Sequence, residues 1–281
     1  MEKKSRQNLL ACARAALSVY RVSEPTEFPK NVARSVTARA LSVLGAFSID
    51  APSLTLSELA RRAGLPIPTV FRLAAELEEG RFLDRNAAGK YSLGVHLWQM
   101  GLLTPVHGRL RETAMPYLLN LQYECRETVQ MAVLDGVDAV YIEKLTSEIS
   151  IPVESRIGSR IPLHATGVGK ALLAFSPQSF IDVVLAMPLT RYTPETITNR
   201  RALARELSSI RENGYSSSHQ EYLNGSVSLA APVLAGGIVH AAIGIVNYGA
   251  RDDLSRYLAA LREAAALLGT RLEQLMSVDP G

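Results

Sequence analysis

Val36, Ala40, Val43, Leu44 and Phe47 recur at three- and four-residue spacing. That spacing draws one apolar stripe along a helix, with Arg39 and Ser42 outside it. A second helix is predicted where Thr55 or Ser57 caps a short segment carrying Leu56, Leu59, Ala60 and Ala63, with Gly64 ending it. Gly64 and Leu65 supply a tight turn. A third helix is expected from near Pro68 to about Glu79, turning Val70, Leu73, Ala74 and Leu77 inward and leaving Thr69, Phe71, Arg72, Ala75 and Glu76 on its outer faces. Gly80 stops it. The alternation in "RFLDR" and "GKYSLG" around "NAAG" predicts a two-stranded hairpin.

Beyond the hairpin, "GVHLWQMGLL" reads as a linker helix, followed by a helix with Met115, Leu118, Leu119 and Leu121 partly buried. Strands are predicted at "TVQMAVL" and "DAVYIEKL", joined at Asp135 and Gly136. Two more, "SVSLAAPVL" and "VHAAIGIV", flank Ala235, Gly236 and Gly237. Helices are expected at Gly169 to Phe175, Asn199 to Asn213, and about Asp253 to Met276. Hairpins interleaved with helices imply an α+β domain with an antiparallel sheet, since no alternating βαβ pattern occurs. The expected organisation is an arm over 1–34, a first domain over 35–94, a linker helix over 95–109 and a second domain over 110–278.

The length of 281 residues fits two domains. The apolar run "NLLACARAAL" follows Lys3, Lys4 and Arg6 but is interrupted by Arg14, which argues for an arm rather than an export signal. No apolar run reaches the ~18 residues of a membrane span, so no membrane association is expected. Cys12 and Cys125 are too few for a disulfide framework, consistent with a cytoplasmic protein. The five histidines lack metal-ligand spacing, and neither a metal nor a cofactor is expected. Residues 1–104 carry a net charge of +5 and residues 105–281 a net charge of −2. That asymmetry points to a polyanion partner for the first part.

Two short helices joined by a glycine turn form a helix-turn-helix, whose second helix can enter a DNA major groove, and the hairpin is its wing. Arg72 is the candidate groove contact, Thr69 a phosphate or base contact, and Phe71 shares their outer surface. Arg81, Arg85 and Lys90 flank the wing, where cations reach phosphates or a minor groove.

In the second domain, "LHATGVGKALLAF" has the glycines and lysine of a phosphate cradle but fails as one. It has His164 where that loop needs its first glycine and Ala171 where it needs a hydroxyl. Two other classes stay open: an interaction or ligand-binding module without DNA function, and a hydrolase using Cys125 or Ser228 with His219 or His164 as base. No nucleophile elbow supports the hydrolase.

The segment "TLSELARRAGLPIPTVFRLAAELEEGRFLDR" followed by "GKYSLG" resembles the winged helix-turn-helix of the IclR family of bacterial transcription regulators. Ile67 and Pro68 stand where that family commonly has Lys and Ser. "SRIGSRIPLHATGVGKALLAF" and "GYSSSHQEYLNGSVSLAAPV" resemble the family's GAF-like effector-binding domain, with Gly214, Ser218, Glu221 and Ser228 at signature positions and Leu234 and Ala235 departing from it. The resemblance implies a non-enzymatic repressor or activator that binds double-stranded operator DNA as a homodimer, or as a tetramer of paired dimers. It also implies an organic acid held by the Gly167 and Val168 N–H groups, with Ser218 and Ser228 nearby and Gly244 and Val246 on the last strand. Few hydroxyls there favour an aromatic or otherwise apolar acid over glyoxylate. Amides at a helix start, expected near Gly169, suit a carboxylate.

Overall fold

The computed structural model describes residues 35–48, 50–104, 110–146, 155–248 and 254–278. The expected arm lies outside them. The described residues form two compact units, one up to Thr104 and one from Leu110.

In the first unit, α1 (Val36–Leu44) is capped by the Ser35 side chain, which accepts from the Ala38 N–H. Val36 is exposed, against expectation, and Ala38 is buried in its place, because the stripe is rotated toward Ala38 and Val43. Helix α2 (Leu56–Ala63) opens on a reciprocal capping box, Thr55 accepting from the Glu58 N–H while the Glu58 carboxylate accepts from the Thr55 N–H. Gly64 ends it at φ 66°, the left-handed conformation that glycine adopts without penalty. Helix α3 (Ile67–Glu79) starts one residue before Pro68, with no side-chain cap. Val43, Leu59, Val70, Leu73, Leu83 and Tyr91 meet in one core. The wing is a three-stranded sheet in the order β1-β3-β2: β1 (Ser53–Leu54), β2 (Leu83–Arg85) and β3 (Tyr91–Leu93). The extra strand has two residues, too few to show an alternation. Helix α4 (Val95–Leu102) follows, and its His96 ring meets Phe82 edge-on at 5.0 Å.

The second unit holds a six-stranded antiparallel sheet in the order β6-β5-β4-β9-β8-β7. Its strands are β4 (Thr128–Asp135), β5 (Asp138–Leu145), β6 (Arg160–Pro162), β7 (Ser216–His219), β8 (Ser226–Ala235) and β9 (Ile238–Tyr248). Four match the expected strands, while β6 and β7 are edge strands too short and polar to stand out. Pro232 is tolerated in β8 because β7 pairs only as far as Ala230, leaving its missing N–H without a strand to serve.

One sheet face, with Val129, Met131, Leu229, Ile243 and Ile245, packs on α5 (Glu112–Cys125) and α9 (Leu258–Val278). Leu119 of α5 is exposed, contrary to expectation, while Ala114 and Cys125 are buried, since the inward stripe follows Ala114, Leu118, Leu121 and Cys125. Gly269 brings α9 so close that a Cβ there would lie 2.2 Å from the Leu234 carbonyl oxygen. The other face carries α6 (Gly167–Ala174), α7 (Gln178–Ala186) and α8 (Arg200–Asn213) over Ala132, Ala139, Ala230 and Ala242. Small residues on this face let α6 approach the sheet closely. Helix α7 escapes the sequence reading, and the last helix begins with a 3₁₀ turn at Leu254–Tyr257.

Candidate functional site

In the first unit, α3 presents Phe71 and Arg72 outward, Phe71 being 54 % exposed. Among the described residues the Arg72 guanidinium is tethered only by an exposed contact of 4.0 Å to Glu76 one turn on, too weak to hold it from an incoming phosphate or base. Thr69 is half-buried in the first turn of the same helix. At the wing, the Arg85 guanidinium stacks 5.2 Å from the Tyr91 ring centroid, and Lys90 is exposed beside the turn. The Asn86 side chain accepts from the N–H groups of Ala88 and Lys90 and so shapes that turn. Arg81 adopts φ 60°, uncommon for a side-chain-bearing residue, at the corner between α3 and β2. The corner is enforced from across the sheet: a Cβ on Gly94 would stand 2.3 Å from the Arg81 carbonyl oxygen.

In the second unit, a cavity of about 280 Å³ opens between α6 and the sheet. Gly167, Val168, Ser218, Ser228, Gly244 and Val246 all line it. Helix α6 begins at Gly167, two residues earlier than the sequence suggests, because Thr166 is its N-cap: the hydroxyl accepts from the Gly169 N–H at 3.1 Å and donates to the Pro162 carbonyl at 2.9 Å. The Gly169 amide is therefore occupied. Gly169 serves close packing, since a Cβ there would lie 2.7 Å from Leu163 Cα and from the Pro162 oxygen. The amides of Gly167 and Val168 are first-turn donors that the helix cannot pair itself, and the helix dipole adds positive potential there.

Strand pairing brings the remaining residues in. Val246 and Ser218 flank Ser228 on the two neighbouring strands. Gly167 faces Ser228 so closely that a Cβ would approach its Oγ to 2.7 Å. The Ser216 hydroxyl donates to the Gly167 carbonyl at 2.6 Å and that of Ser218 to the Ala165 carbonyl at 3.4 Å, fixing the loop to β7. A Cβ on Gly244 would meet Val168 Cγ1 at 2.7 Å, so the valine fills the space over that glycine and makes an apolar wall.

The cavity's electrostatics come from backbone and neutral groups. Its wall cation, Arg160, is engaged by Asp135 at 2.6 Å and Asp138 at 3.1 Å. Burial pushes the Tyr222 phenol above its usual pKa, so this wall residue stays neutral beside an anion at ordinary pH.

Lys170, which from sequence could be a solvated lysine, is fully buried and pairs with Glu221 at 2.6 Å and Glu206 at 3.1 Å. It braces α6 against α8 and the segment after β7. The positions of Gln130, Tyr141, Thr166 and Tyr222 in the wall were also missed, because only strand register and loop closure bring them there.

The candidate nucleophiles are not assembled with a base. Cys125 lies in the core on the α5 and α9 face, and burial raises its thiol pKa, disfavouring the thiolate. His219 is exposed, and His164 Nε2 is 2.9 Å from the Thr190 carbonyl oxygen. Among the described residues no cluster could hold a metal ion, and no helix is long and apolar enough to cross a membrane.

A winged helix-turn-helix joined to a sheet domain with an internal ligand-sized cavity defines a ligand-responsive DNA-binding regulator. The comparisons name its family. Residues 36–87 match the IclR helix-turn-helix domain and residues 105–269 the bacterial transcriptional regulator IclR C-terminal domain. The chain belongs to the IclR family of transcriptional regulators. It is 34 % identical over 233 residues to the HTH-type transcriptional regulator KipR of Bacillus subtilis, covering 82 % of this chain and 93 % of KipR. It is 31 % identical over 241 residues to the HTH-type transcriptional repressor AllR of Klebsiella pneumoniae, covering 83 % and 88 %. Among solved structures, an IclR homologue of Microbacterium hydrocarbonoxydans in complex with 4-hydroxybenzoate superposes with a TM-score of 0.82 at 32 % identity, covering 85 % of this chain and all of that one. These relatives are regulators, and this chain is a regulator rather than an enzyme.

Proposed function

We propose that the regulator's effector is a small aromatic monocarboxylate, held in the cavity under α6 with its acid group on the Gly167 and Val168 amides. The single observation that carries this is the start of α6: Gly167 and Val168, whose amides have no hydrogen-bond acceptor among the described residues, line a cavity of about 280 Å³ whose arginine is already neutralised by two aspartates. Ser228 and Ser218 border the acid group, while Val168 and Val246 give the apolar wall that an aromatic ring needs. Glyoxylate would leave most of that space unfilled. The Microbacterium homologue's aromatic acid supports the same class.

Operator DNA is contacted by Arg72, Thr69 and Phe71 from α3, with Arg81, Arg85 and Lys90 adding phosphate contacts at the wing. The working form is a cytoplasmic homodimer reading paired half-sites, with tetramers arising by pairing of dimers. The exposed Trp98 and Met100 of α4, with Leu103 just after it, supply apolar surface suited to a second copy. The proposed domain limits are 35–94 for DNA binding, 95–109 for the linker and 110–278 for the effector.

For the acid to change operator affinity tenfold, it must bind the two arrangements with a difference of about 1.4 kcal/mol. Fluorescence anisotropy on the upstream intergenic DNA tests the reading. Expected is sequence-specific, salt-sensitive binding that shifts when 4-hydroxybenzoate or benzoate is added. Specific DNA binding that responds to glyoxylate and to neither aromatic acid would overturn the effector class.

A further inference from the structure

We infer that Gln130 reads the far end of the effector, accepting a hydrogen bond from a hydroxyl or amino group carried across the ring from the carboxylate. The inference rests on the proposed acid site and adds a second polar anchor to it.

Gln130 lies in the cavity wall and is only 1 % exposed. Its two amide atoms are treated differently. Nε2 donates to Ser155 Oγ at 2.5 Å, whereas Oε1 is buried with no hydrogen-bond partner among the described residues. A buried carbonyl oxygen without a donor is costly, and native structures rarely leave one without a purpose. With Nε2 engaged by Ser155, the atom left without a partner is the acceptor Oε1.

Strand register sets the distance from the acid end. Gln130 on β4 is opposite Gly244 on β9, which is opposite Ala230 on β8. Ser228, which faces Gly167, is on β8. Two strand spacings separate β4 from β8, roughly 10 Å between backbones. Both ends line one cavity, so a ligand in it can reach from the Gly167 and Val168 amides to Gln130. The intervening wall is apolar, with Val168 packed over Gly244. A ligand meeting all three features has a carboxylate, a flat apolar middle and a distal hydrogen-bond donor. A small α-keto acid has the first alone.

The test is isothermal calorimetry of the full-length protein with benzoate, 4-hydroxybenzoate, 4-aminobenzoate and 4-methoxybenzoate. The hydroxy and amino compounds, which can donate, are expected to bind at least tenfold tighter than benzoate and 4-methoxybenzoate, which cannot. In Gln130→Leu the ratio of the 4-methoxybenzoate Kd to the 4-hydroxybenzoate Kd should fall toward one, whatever the absolute affinities. The wild-type series decides the matter even if that variant fails to fold. Equal binding of all four by the wild type, a preference for 4-methoxybenzoate, or an unchanged ratio in the folded variant would each overturn the role of Gln130 and leave the acid site standing. Failure of every benzoate to bind would overturn the acid site and this inference together.

Discussion

The ammonium of Lys170 lies 2.6 Å from the Glu221 carboxylate, with the lysine side chain 1 % and the glutamate side chain 8 % exposed. The buried ammonium is held by Glu221 and by Glu206 at 3.1 Å, and removing the lysine strands the Glu221 carboxylate in an apolar setting. The position of Lys170 on α6, one turn past the amides proposed to take the acid, makes it a brace for that helix.

Lys170→Ala should therefore destabilise the second domain by about 3–5 kcal/mol in urea unfolding. Lys170→Met combined with Glu221→Leu should recover most of that loss, because the buried glutamate goes with the lysine and the remaining Glu206 side chain is 33 % exposed. An additive double mutant would show that the pair is not coupled.

Two glycines of one loop should behave oppositely. Gly169→Ala pushes a methyl group against backbone at Leu163 and Pro162, and a loss of about 1–3 kcal/mol of stability is expected. Gly167→Ala comes too close only to the movable Ser228 hydroxyl, at 2.7 Å, and makes ordinary contact with the Ser228 and Ala230 Cβ atoms. Its melting temperature should stay near wild type, while affinity for an aromatic acid drops about tenfold or more, equivalent to roughly 1.4 kcal/mol. Thermal melts and calorimetry on the two variants separate packing from recognition.

At the DNA surface, Arg72→Ala should cost about 1–3 kcal/mol in operator affinity and relax selectivity at one position. Arg85→Ala or Lys90→Ala should weaken all sequences alike and lower the slope of log K against log salt by about one. Salt titrations on operator and scrambled duplexes read both effects. An unchanged footprint and affinity for Arg72→Ala would remove it from the groove.

Cys125 gives a pH dependence. Burial raises the folded-state thiol pKa, so the folded protein holds this proton more tightly than the unfolded chain does. The resulting stability is fully present below the unfolded thiol's pKa and is lost as pH rises toward and through the folded value. Urea midpoints from neutral to alkaline pH should fall more steeply for wild type than for Cys125→Ala. Parallel curves would show that the thiol makes no contribution.

The glycines, caps and apolar spacing around α2 and α3 identify the helix-turn-helix from sequence, because those signals act within a few residues of each other. The strands β4, β5, β8 and β9 show in the same way, as largely apolar segments paired across the turn residues Asp135 and Gly136 and Ala235 to Gly237. Charge asymmetry and the loop before Lys170 point to DNA and to an anion for equally local reasons. Other features depend on contacts between distant segments. The register that sets Gln130 across from Gly244, the seating of Gly167 against Ser228 and the neutralisation of Arg160 by Asp135 and Asp138 arise only when the sheet closes. So does the burial of Lys170, whose partners Glu206 and Glu221 lie 36 and 51 residues away along the chain. The sequence by itself determined the kind of protein and the residues near the loop proposed to take the acid. Tertiary packing decided which amides remain unpaired, which charges are already satisfied and how long a ligand the cavity can hold, because each is a property of atoms that meet only in the folded chain.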